Sequence, residues 1–61
     1  MTKDQQDRAW NQFKTVVTPI FCSDIHIHDC NDYLNITYKL GSRRFGVKVD
    51  EHAILDKYVI S

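Results

Sequence analysis

Cys22, Asp24, His26, His28 and Cys30 occupy alternate positions of one short run, with Phe21, Ile25 and Ile27 on the intervening odd positions. Such alternation predicts a β-strand that is apolar on one face and carries ligand-type side chains on the other. His26 and His28 are two of the chain's three histidines. On a strand their Cα atoms lie about 7 Å apart and their imidazoles point the same way. A pair so placed can donate two nitrogens to one Zn²⁺, and Asp24 or Cys30, each one pleat repeat away, can add a third ligand. A fourth has no candidate in the chain, although a two-fold partner could supply it. Solvated surface histidines are the alternative, since a bare His-x-His has low specificity.

Catalytic chemistry finds less to work with. Cys30 beside His28 offers a thiol and a base, but neighbours on one strand are aimed in parallel, and no orienting third group or oxyanion donor is evident. The only glycines, Gly41 and Gly46, fall in a turn and a strand, so there is no glycine-rich phosphate loop. The expectation is a non-enzymatic protein that uses no cofactor.

The elements that would position these residues follow from periodicity. A helix is expected from about Lys3 to Val17, capped by Thr2 with Gln5 completing a capping box, and with Asp4 and Asp7 at its positive end. Gln6, Trp10, Phe13 and Val17, with Ala9 and Val16 alongside, form its apolar stripe, and Pro19 ends it by disfavouring helical geometry at Thr18. Strand one, about Ile20 to Asp29, turns at Asn31-Asp32 into strand two, Tyr33 to Leu40. A two-residue turn pairs His28 with Asn35, His26 with Thr37 and Asp24 with Lys39 on one face, and Ile27 with Ile36 and Ile25 with Tyr38 on the other. Gly41-Ser42 then leads into strand three, Arg44 to Val49. A two-residue turn there sets Lys39 against Arg44, and a four-residue loop would avoid that contact; the sequence leaves both open. Asp50 is expected to cap a last helix, about Glu51 to Ile60, whose apolar side is Ile54, Leu55, Tyr58 and Val59. The predicted fold is α+β in the order α-β-β-β-α, a three-stranded antiparallel meander with two helices on one face, forming a single domain over residues 1–61.

That element order resembles the double-stranded RNA-binding domain, in which two helices pack on one face of a three-stranded sheet. The family reads RNA partly through lysines opening its second helix, where this chain has Asp50-Glu51-His52. The resemblance is therefore one of topology, and no site residue is carried over from it.

Length and composition bound the rest. A chain of 61 residues lies near the lower limit for independent folding, so a partner, a second copy or a metal would help it. The composition, 43% hydrophobic and 26% charged, is that of a globular protein. No apolar run approaches the roughly 18 residues that cross a bilayer, and MTKDQQDRAW is not a signal peptide, which gives a cytoplasmic expectation. The two cysteines, on one strand, would stand about 26 Å apart and cannot bond to each other.

Formal net charge is zero, but residues 33–49 carry Lys39, Arg43, Arg44 and Lys48 with no acid, and residues 18–32 carry Asp24, Asp29 and Asp32 with no base. With both helices on one side, the other side presents Asp24, His26, His28, Asn35, Thr37, Lys39, Arg44 and Lys48, together with Tyr33. The functional expectation is a small protein-interaction module, of the kind found as regulators or inhibitors in viral and mobile-element genomes. It would bind a protein partner, or form a homodimer, through that polar face, with Arg43 counted among the contact residues, and the edge of strand one. The alternatives are a single-stranded nucleic-acid binder using Lys39, Arg43, Arg44 and Lys48, and a weak zinc site at His26 and His28.

Overall fold

The structure, a computed structural model, describes residues 1–61. It contains one α-helix, α1 (Lys3–Val16), a single 3₁₀ turn (Pro19–Phe21) and four strands: β1 (Ser23–Asp29), β2 (Leu34–Leu40), β3 (Arg43–Val49) and β4 (Ile54–Val59). The strands form one antiparallel sheet in the order β1-β2-β3-β4.

The expected second helix is therefore a strand, and the sheet has four strands instead of three. Asp50 does act as a cap, but of a turn: its Oδ1 accepts from the backbone N–H groups of His52 and Ala53, both at 2.8 Å, while its own N–H donates to the Ala53 carbonyl at 3.0 Å. The chain is reversed within four residues, and β4 then pairs with the edge that β3 would otherwise leave open. A register shift between Lys48 and Val49 explains why the strand was hidden. Val49 faces Ile54 and Phe45 faces Val59, so Ile54 and Val59 share a face despite opposite parity, and Leu55 is the extra residue between them. A bulge converts strand alternation into a spacing that reads as helical. With β4 in place, the likeness to the double-stranded RNA-binding domain is lost.

Helix α1 forms as its sequence dictates. Gln5 N–H donates to Thr2 Oγ1 at 3.2 Å and Thr2 N–H to Gln5 Oε1 at 2.9 Å, closing the capping box. Val17 leaves the helix in extended geometry, ahead of Pro19. Ala9 and Phe13 are fully buried against Leu34, Ile36 and Tyr38 of β2 and Val47 and Val49 of β3, which make up the rest of the core. Aromatic rings run through it in series: Trp10 stacks on Phe13 at 5.0 Å, Phe13 meets Tyr38 edge-on at 5.6 Å, and Tyr38 stacks on Phe45 at 5.6 Å. Trp10 itself is half-buried.

The β1–β2 and β2–β3 hairpins each close with two residues. Cys30 N–H donates to the Tyr33 carbonyl at 2.9 Å around Asn31 and Asp32, and Asn31 takes the left-handed conformation (φ 71°) that asparagine tolerates. In the second hairpin Leu40 faces Arg43 and Lys39 faces Arg44, so the turn is Gly41-Ser42, with Gly41 at φ 65°. No helix is long and apolar enough to cross a membrane.

Candidate functional site: the outer edge of β1

The face of the sheet turned away from α1 is polar, and β1 forms one border of it. His26 pairs with Thr37 and His28 with Asn35, which puts both imidazoles on this open face, exposed to solvent. Asn35, Thr37, Lys39, Arg44 and Lys48 share the face. Arg43 does not, because it pairs with Leu40, whose parity is that of Leu34, Ile36 and Tyr38 on the helix side.

Asp24 departs from the expected ladder. Ser23 takes the place opposite Lys39, and Asp24 and Ile25 together stand opposite Tyr38 in a β-bulge. Asp24 has φ 51°, the left-handed conformation at which such bulges turn. The bulge keeps Ile25 packed on the core while the Asp24 carboxylate and the Arg44 guanidinium meet across β2 at 3.6 Å. This acid offsets the like-charge pair of Lys39 and Arg44. Further along, Lys48 faces Asp56 across the β3–β4 ladder and sits 5.7 Å above the Tyr33 ring. The basic residues are thus interleaved with acids and an aromatic ring, which leaves no uniform cationic surface for a phosphate backbone.

Nowhere do three His, Cys, Asp or Glu side chains come together as a metal site. Asp24 is engaged with Arg44, and Cys30 Sγ points to the carbonyl of His28 at 3.9 Å, not to its imidazole. Both cysteines are free thiols. Burial raises the Cys22 thiol above its ordinary pKa.

The backbone of β1 has a definite phase. Bonded and non-bonded pairs alternate along an antiparallel ladder. Since Cys30 bonds to Tyr33, His28–Asn35 and His26–Thr37 are the bonded pairs. Ile27 and Asp29 then direct their N–H and C=O groups away from β2, to the free edge. Ile27 is 51% exposed on the helix side of that edge, above a shallow groove it shares with Gln6, Trp10 and Leu34. Asp29 closes the straight stretch. Its carboxylate accepts from Asn31 N–H and from Gln6 Nε2, each at 2.8 Å, and these bonds hold it below the usual carboxylate pKa.

Two features of the surface were not legible in the sequence. Ile20 and Phe21, on the 3₁₀ turn leading into β1, are 85% and 74% exposed, and Phe21 lies next to Val16 and Leu40. Strand alternation carried back through Phe21 assigns it to the core; Pro19 instead winds this segment into a turn that lifts it clear. The second is β4, which makes a second free edge, with Leu55, Val59 and Ile60 exposed. No protein-family model, no curated protein and no solved structure matches this chain.

Proposed function

We propose that this chain is a non-enzymatic protein-interaction module that binds by strand addition at the outer edge of β1. The observation that carries the reading is the segment Ile25–Asp29: a straight edge, free on one side, with the backbone groups of Ile27 turned outward and its side chain half-exposed. Backbone pairing of this kind supplies affinity, and the side chains on alternate positions supply specificity. Ile20 and Phe21, on the turn just before β1, offer a further exposed apolar contact. The β4 edge is less suited, because the charged pair Asp56-Lys57 sits at its middle, a common guard against strand addition.

The test changes the backbone separately from the side chain. Ile27→Pro removes an N–H that faces outward, and Ile27→Ala removes the side chain but keeps that N–H. Immobilised wild type, both variants and Phe21→Asp are compared for retention of a protein partner from the native host. Retention by wild type and Ile27→Ala, with loss in folded Ile27→Pro and Phe21→Asp, is expected. Equal retention by all four defeats the reading. In parallel, single-stranded oligonucleotides at low salt are expected not to bind; binding that weakens steeply with added salt would transfer the function to nucleic acid.

A further inference from the structure

We infer that β1 pairs with β1 of a second copy of this chain, and that His26 and His28 of the two copies together bind one Zn²⁺. This deepens the strand-addition reading above by naming the strand added.

Two features of β1 converge on one register. The bulge at Asp24 interrupts the ladder, so the straight part of the edge is Ile25–Asp29, whose midpoint is Ile27. A two-fold axis normal to the sheet keeps the open faces of both copies on the same side, and it requires opposed residues to share a face. Centred on Ile27 it sets Ile27 against Ile27, His26 against His28 and Ile25 against Asp29 of the second copy. Ile27 is also a residue whose backbone donor and acceptor point outward, so the central pair can exchange two hydrogen bonds. The His26–His28 pairs on either side then fall in non-bonded positions, where opposed Cα atoms are nearest, at about 4.5 Å.

Ligand count favours a second copy over another strand. Tetrahedral Zn²⁺ takes four ligands, with Zn–N distances of about 2.0–2.1 Å. Each chain provides two exposed imidazoles on one face of a free edge and no third group. The axis through Ile27 gathers four imidazoles around a single point on the open face. On the opposite face the half-exposed Ile27 side chains cover each other, with Trp10 of each copy close by. No like charges are opposed anywhere in the five-residue pairing.

Sedimentation of the full chain, stripped of metal and then titrated with Zn²⁺, tests the inference. The expected result is a shift from one chain to two, saturating at one Zn²⁺ per two chains, and reversed by chelation. His26→Ala and His28→Ala should each abolish the shift, whereas His52→Ala, in the loop before β4, should leave it unchanged. Co²⁺ in place of Zn²⁺ should give the strong visible absorption of a tetrahedral site, and the ring signals of His26 and His28, but not His52, should move. Ile27→Pro should prevent dimerisation with both histidines present. A monomer at every Zn²⁺ concentration overturns the inference, as does one Zn²⁺ per chain without dimerisation. A dimer indifferent to Zn²⁺ and to both histidine variants overturns the metal site while retaining the paired edge. If dimerisation fails but Ile27→Pro still loses a captured partner, the strand-addition reading survives its refinement; if neither responds to Ile27→Pro, both fail.

Discussion

Tyr58 on β4 lies over Gly46 on β3 and donates from its hydroxyl to Asn35 Oδ1 on β2 at 2.7 Å, so one side chain ties three strands together across the open face. The glycine is required by that contact, because a Cβ at position 46 would fall within the Tyr58 ring. Gly46→Ala is expected to expel the ring and cost roughly 1–3 kcal/mol, as overpacking does. Tyr58→Phe keeps the ring but removes the donor to Asn35, for about 1 kcal/mol. Chemical denaturation of the two variants should rank them in that order; a neutral Gly46→Ala would show that Tyr58 does not occupy this place.

Phe13 is fully buried between Trp10 and Tyr38. Phe13→Ala should therefore cost roughly 3–5 kcal/mol, a large share of what so small a domain has. Thermal melts monitored at the helix signal provide the check. A melting point within a few degrees of wild type would contradict the packing of α1.

Asp24 combines a left-handed backbone with an exposed ion pair to Arg44. Its two contributions separate by substitution. Asp24→Gly keeps the backbone at ease and loses only the pair, for less than about 1 kcal/mol. Asp24→Val adds backbone strain of roughly 1–3 kcal/mol at this φ. Urea midpoints for the two variants should differ accordingly, and equal midpoints would argue against the bulge.

Asp29 and Asp50 give the protein an acid limit. The carboxyl of Asp29 is held below its ordinary pKa by the backbone N–H of Asn31 and then by Gln6, and that of Asp50 by the backbone N–H groups of His52 and Ala53. A carboxyl whose folded pKa lies below its unfolded value of about 3.9 stabilises the fold above that pH, and the contribution disappears as pH falls through the folded value. The contribution of these two carboxyls should thus be level from neutrality to about pH 5 and decline below roughly pH 4. Asp29→Asn and Asp50→Asn should flatten that decline. An unchanged acid profile in both would show that other groups set it.

Much of this protein was determined by local sequence. The Thr2–Gln5 capping box, the Ala9–Phe13 stripe and Pro19 define α1, because caps, periodicity and proline act within a few residues. The pairing of His28 with Asn35 and His26 with Thr37 also follows from sequence, since a short turn and the two-residue pleat bring apolar side chains together in that register, whereas the pairing of Tyr38 with Phe45 was one of two that the sequence left open. The face carrying His26 and His28 is legible for the same reason.

What the tertiary structure decided lies where a bulge breaks that pleat. The extra residue at Leu55 made Ile54–Val59 read as a helix, and only its pairing with the edge of β3 makes it a strand. The extra residue at Asp24 moved its carboxylate from Lys39 to Arg44 and limited the straight edge of β1 to Ile25–Asp29. Periodicity carries no record of a residue inserted out of phase, because its effect is felt only by a neighbouring strand. The same holds for Phe21 and Gly46. Exposure of the one and necessity of the other depend on what the rest of the chain places beside them.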